Sequence, residues 1–200
     1  MAAFVVLEDR GVISVGGADA SSFLQGLISN DIGKVDSTHA IYATLLTPQG
    51  KYLHDFFVAQ APRGGLLIDC ERDRRDDLLR RLMMYKLRAE VELADVSDSL
   101  IVIGLIGDNA LAKLELNETP GDAQARDDGI IFTDPRLAAM GARAILAKSS
   151  GAEIFASDGF TKSSPDDYRD LRLAFGLPDG SKDIVVEKYF PLECGFEELH

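Results

Sequence analysis

The stretch "AIYATLLTPQGKYLHDFFVAQ", Ala40 to Gln60, decides the fold class. Two β-rich runs flank Pro48-Gln49-Gly50, where proline presets one turn dihedral and glycine accepts a positive one. A return this tight makes an antiparallel hairpin. Outward from it, "AFVVLEDRGVISVGG" (Ala3 to Gly17) reads as another hairpin, with runs Phe4–Leu7 and Val12–Val15 split by Glu8–Gly11. "GGLLIDC" and "SLIVIGLIG" are single strands, Ala89 to Leu93 alternates like one, and "IIFTDPRLAAMGARAILA" is strand, Asp-Pro turn, strand. Helices are fewer. Asp19 or Ser21 caps one whose stripe is Phe23, Leu24, Leu27 and Ile28, with Gly33 past its end. "ERDRRDDLLRRLMMYK" is a second, with Leu78, Leu79, Leu82 and Met83 as its buried face. Asn109 to Leu116 is a third, and Asn117 to Gly129 a loop. In the last, Ser164 caps, Pro165 opens, Asp167 sits third and Gly176 lies past the end. Close hairpins with flanking helices predict an α+β fold of mostly antiparallel sheets rather than a doubly wound parallel one.

Composition narrows the function classes. The chain has 200 residues, 46% hydrophobic and 27% charged, which excludes a disordered, collagen-like or coiled-coil chain. No apolar run is long enough to span a bilayer, so no membrane role is expected. The net charge of −12 disfavours direct nucleic-acid binding, because a phosphate backbone attracts cations. The N-terminus lacks a basic start with a long apolar middle and an Arg-rich transit pattern, so the expected address is the cytoplasm. Cys70 and Cys194 are too few to hold a zinc ion or a cluster alone, and His39, His54 and His200 show no ligand spacing.

Asp55 is the most informative single residue. Strict strand alternation puts Leu53, Asp55 and Phe57 on one face and Tyr52, His54 and Phe56 on the other. An acid among apolar neighbours suits proton exchange better than a solvated role. Arg172 shares a helix face with Tyr168, Leu171 and Phe175, so it either pairs with an acid such as Asp55 or Glu193 or snorkels to the rim. Asp134-Pro135-Arg136 reads as a turn tied by an Arg–carboxylate pair, with Arg143 nearby. Asn30 and Asp31 are ordinary helix-end residues, and Lys51 follows a plain turn. The run "ERDRRDDLLRR" reads as a solvated face laced with intrahelical pairs.

Four segments in order, "FLQGLISNDI", "TPQGKYLHDF", "DPRLAAMGARAI" and "LRLAFGLPDG" continuing to "FPLECGFEELH", resemble the YgfZ family of folate-binding proteins. That family is related to the glycine-cleavage T protein (an aminomethyltransferase) and to a mitochondrial iron–sulfur assembly factor. The resemblance covers nearly all of residues 1–200 as one folate-binding region in two interlocked lobes. It implies a continuation through a K-G-C-Y-x-G-Q-E signature into a C-terminal barrel, neither of which is in this sequence. The terminal run, with Leu192, Phe196 and Leu199 on one side and acids on the other, accordingly stops without a helix-ending signal.

The resemblance implies tetrahydrofolate as ligand and support of iron–sulfur client proteins, including enzymes that modify tRNA. It makes Asp55 the catalytic candidate and Asn30, Asp31, Lys51, Tyr52, Arg172 and Glu193 the folate-binding ones. The family's paired acids are reduced here to Asp55, with His54 at the first position, and the acid of its "LRLEAG" helix is replaced by Ala174. A true aminomethyltransferase is one alternative. A noncatalytic module docking a basic partner on its acidic surface is another.

Overall fold

The computed structural model describes residues 1–196 and Leu199. In chain order the elements are β1 (Ala3–Val6), β2 (Arg10–Gly16), α1 (Ala20–Gln25), β3 (Ile41–Leu46), β4 (Tyr52–Gln60), β5 (Leu66–Glu71), α2 (Arg75–Lys86), β6 (Glu92–Asp95), β7 (Leu100–Ile106), α3 (Ala110–Lys113), β8 (Ala123–Arg126), β9 (Gly129–Thr133), β10 (Ala142–Ala147), α4 (Ile154–Ser157), β11 (Thr161–Lys162) and α5 (Pro165–Ala174). Two sheets result, one in the order β11-β1-β7-β10-β9-β8 and one in the order β3-β4-β5-β2-β6. Among their pairings only the short β1–β11 contact is parallel. The fold is α+β with mostly antiparallel sheets, and β3 and β4 form the expected hairpin. The runs Phe4–Leu7 and Val12–Val15 do not pair with each other: β1 joins β7 in one sheet and β2 joins β5 and β6 in the other, so the turn between them crosses from sheet to sheet.

Strand alternation builds the layers. On β5, Leu66, Ile68 and Cys70 face outward to Leu24, Leu78 and Leu82 of α1 and α2. Leu67 points the other way, into a core shared with Val5, Val102, Ile130, Phe132 and Ile145 of the opposite sheet. Ile103, Ala144 and Leu146 form the outer face of that opposite sheet, covered by Ala110 of α3 and Phe155 of α4. The order is therefore helix, sheet, sheet, helix, with packed side chains between the sheets. Each fully buried Leu, Ile or Phe in these layers is worth roughly 1.5–3 kcal/mol of transfer free energy.

α5 closes one side of the middle layer. Its Ser164 and Asp167 form the predicted reciprocal cap, with Pro165 at the first helical position. Gly104 on β7 leaves room for Tyr168 of α5, since a Cβ there would stand 2.8 Å from the ring.

Some elements differ from the sequence reading. β8 emerges inside the expected loop 117–129, because its polar strand is at the sheet edge and needs only one apolar neighbour row. α1 ends at Gln25 with Gly26 as its C-cap, short of Leu27 and Ile28 in the expected stripe, and α3 is a single turn. Met83, expected in the buried face of α2, is exposed. At the chain's end Pro191–Cys194 form one 3-10 turn, stopped by Gly195 at φ 77°. The acids of the expected terminal run, Glu197 and Glu198, and His200 lie outside the described residues.

Candidate functional site

β4 does not alternate strictly. Its pairing with β3 shifts between Leu45, opposite His54, and Leu46, opposite Tyr52. This bulge spends Leu53 as the extra residue and reverses the faces before it. Tyr52, expected beside His54, joins Asp55 and Phe57 on the inter-sheet face, and Leu53 joins Phe56 in the helix-side core. His54 goes to the same side and meets Asp77 of α2 at 2.9 Å. Burial, and then Arg74, push the His54 pKa down to about 4, so its ring is neutral at neutral pH. Asp77 is itself pulled down to about 2: burial opposes this, but hydrogen bonds from Arg81 and His54 prevail.

Asp55 is 5% exposed and accepts hydrogen bonds from both tyrosines, Tyr42 at 2.7 Å and Tyr52 at 2.5 Å. Burial first, and then the Asp55 charge, push both phenols well above their ordinary range. Each therefore stays protonated as a fixed donor. Gly180 (φ 57°) presses on this group from above, where a Cβ would lie 3.0 Å from Asp55 Oδ1 and from Glu71 Oε2.

Tyr42 leads from Asp55 to a cavity of about 390 Å³, within the size range of small-molecule sites. One wall is β3, with Tyr42, Thr44 and Leu46; the facing wall is the terminal segment, with Phe190, Leu192, Phe196 and Leu199. That segment is clamped to β4 by Tyr52 N–H on Tyr189 O, Glu187 N–H on Tyr52 O, and Lys51 Nζ on Lys188 O at 2.6 Å. Phe196 stacks on Tyr42 with centroids 5.8 Å apart. The hydroxyl of Thr44 is buried in this wall and has no partner, although the residue is only 2% exposed. A buried hydroxyl without a partner costs free energy unless a ligand satisfies it.

The expected site residues divide. Tyr52 reaches Asp55 directly, and Asn30 lines the cavity while its Nδ2 holds Tyr42 O at 2.9 Å. Asn30, Ser29 and Ile28 together cover the outer edge of β3. Asp31 caps the next turn through Gly33 N–H, and Lys51 lies 4.4 Å over the Phe190 ring. Arg172 pairs with neither Asp55 nor Glu193. It donates to Leu177 O and, at 2.7 Å, to Asp183, both close in sequence, so the helix end and its exit loop satisfy it locally. Glu193 is exposed and accepts the Phe190 N–H at 3.0 Å, away from Asp55. Ala174, where the resembled family has an acid, is on the solvent side of α5.

Sequence reading missed Tyr42 and Thr44. Their signal was the hairpin register, which sets Thr44 opposite Asp55 and Tyr42 opposite Phe57. It also missed the charges between the sheets. Arg10 and Arg143 share Asp69, Arg136 holds Asp134 at 2.8 Å as its turn predicts, and all three guanidiniums surround Phe57 within 5.7 Å of its ring centre. A second cavity, about 180 Å³, opens beside them under Tyr168. Cys70 is an inert core thiol pushed up to about 12 by burial, and Cys194 is raised as well, by burial and Glu193.

The sequence model of the GCVT N-terminal domain matches residues 7–148. The chain belongs to the GCVT N-terminal domain family. Its fold agrees with that of the glycine cleavage system aminomethyltransferase T from Bartonella henselae, at a TM-score of 0.71 and 17% identity over 88% of this chain and 52% of that one. Similar sequences include proteins named iron-sulfur cluster assembly factor IBA57 homolog, mitochondrial. The Neurospora crassa protein is 26% identical over 97% of this chain and 45% of its own length. That of Pyricularia oryzae is 29% identical over 98% and 48%, and that of Dictyostelium discoideum 25% over 98% and 54%. The chain thus spans about half the length of the curated relatives it matches. The relatives carry the assembly-factor name, so the family resemblance holds at the GCVT level rather than for YgfZ specifically. Their mitochondrial names also overturn the cytoplasmic expectation. An address signal is a separate leader, and the residues of a folded domain do not record it.

Proposed function

We propose that this chain is the folate-holding part of an iron–sulfur cluster assembly factor. The observation that carries the folate reading is the unpartnered Thr44 hydroxyl in an aromatic-lined cavity next to the Tyr42–Asp55 pair. This lining fits a flat heterocycle with a polar edge: Tyr42 and Phe196 supply aromatic surface and Thr44 a hydroxyl. Tetrahydrofolate, when bound, supplies a nitrogen that carries one-carbon groups. Asp55 is not among the cavity's described lining residues. It acts through Tyr42, fixing the ring's orientation by holding its hydroxyl. Clamped over the cavity, the terminal segment excludes water.

The assembly role is supported by the relatives' names, and the clients would be iron–sulfur enzymes, tRNA-modifying ones among them. An aminomethyltransferase finds less support, because His54 is turned to α2 and Ala174 faces solvent. The test is tetrahydrofolate binding followed by an aminomethyl-transfer assay with the other glycine-cleavage components. Saturable binding without transfer is expected; transfer would establish the enzyme instead, and absence of binding would remove the folate role.

A further inference from the structure

The C-terminal tip of α2 is a cationic stretch on an acidic chain. Arg80 to Arg88 reads RRLMMYKLR, four cations and no acid, and with those cations set aside the rest of the chain carries −16. Leu82 anchors the stretch in the core, while Met83, Met84 and Tyr85 turn to solvent and Leu87 is 89% exposed. Leu87 sits at φ 43°, a region leucine rarely adopts, yet its side chain gains no packing there. Arg80 and Arg81 are tethered to Asp77, and Arg81 also approaches Glu187, whereas no ion pair holds Lys86 or Arg88 among the described residues. A shallow groove of about 410 Å³ runs beside Met83 and Met84, lined also by Leu79, Arg80 and Asp76, the last paired with Arg75 at 2.9 Å.

We propose that this tip is a docking surface for an acidic amphipathic segment of a partner protein. The cations complement carboxylates, and methionines adapt their shape to an apolar side chain laid between them. Lys86 and Arg88, which no ion pair holds among the described residues, belong to the same stretch as the exposed Met83, Met84 and Leu87, so a protein segment that brings acids and an apolar face together is the occupant that this local pattern favours. The surface is independent of the folate cavity.

The test is fluorescence anisotropy with the full chain and a labelled helical peptide bearing leucines on one face and glutamates on the other, against the same peptide with lysines for glutamates. The expected result is binding of the glutamate peptide alone, weakened roughly tenfold or more in a Met84→Ser/Leu87→Ser variant and in Arg88→Glu. These side chains are exposed, so melting temperature and tetrahydrofolate binding should not change. Equal binding of the two peptides, or equal binding by the variants, overturns the proposal. So does a tip that binds only phosphatidylserine vesicles, or that only self-associates in sedimentation.

Discussion

Arg143 on β10 donates two hydrogen bonds to Asp69 on β5, at 2.6 and 3.0 Å, and so ties one sheet to the other inside their shared core. Arg10 takes the other carboxylate oxygen at 2.6 Å. Asp69 therefore serves two buried guanidiniums, and Asp69→Asn leaves Arg143 without its ion-pair partner and Arg10 with only Asp179, 3.7 Å away. Losing one partner of a buried pair costs ~3–5 kcal/mol. Urea unfolding should show a loss of this size, and a loss below about 1 kcal/mol would mean that the pair is solvated.

β5 and β10 were legible in the sequence as strands, and in the fold both alternate strictly, with every second residue apolar outward and Asp69 and Arg143 pointing inward. What escaped was their partnership, since residues 74 apart reveal no contact by spacing. On β4 alternation failed for a different reason. One bulged residue, Leu53, reverses the faces on one side of it, and nothing in "KYLHDFF" announces a bulge. The burial of Asp55 was foreseen, but not its two tyrosine donors. The cavity was hidden because half of its wall comes from a segment more than 130 residues away.

Asp55→Ala should leave the Tyr42 and Tyr52 hydroxyls buried without an acceptor. At about 1–3 kcal/mol for each orphaned group, a loss of ~2–6 kcal/mol is expected. Asp55→Asn retains one acceptor oxygen and should lose less. Chemical denaturation of both variants checks the order, and equal losses would show that the charge rather than hydrogen bonding holds the tyrosines.

His54 gives the stability a defined pH dependence. Its pKa falls from 6.5 in the unfolded chain to about 4 in the fold, so between those values the unfolded chain binds more protons. Stability is then complete above about pH 6.5 and is lost as the pH falls toward 4, by ~3 kcal/mol at about 1.4 kcal/mol per unit. Asp77 adds a separate loss between its ordinary 3.8 and about 2. Unfolding measured across this range in His54→Gln should lack the upper step, and an unchanged profile would place the titration elsewhere.

Thr44→Val separates folding from binding. Its hydroxyl has no partner in the fold, so removing it should hold or raise stability by up to ~1–2 kcal/mol. The same change should weaken tetrahydrofolate binding, by about tenfold for one lost hydrogen bond. A marked destabilisation would show that the hydroxyl already serves the fold.

The most direct measurement is calorimetric titration of tetrahydrofolate into the unmodified chain and into Leu46→Trp, which fills the cavity from its half-buried rim. Saturable binding by the first and a loss of roughly tenfold or more in the second, with unchanged melting, is the predicted result. No binding heat from the unmodified chain, or equal affinity in the filled variant, would contradict a folate site between β3 and the terminal segment.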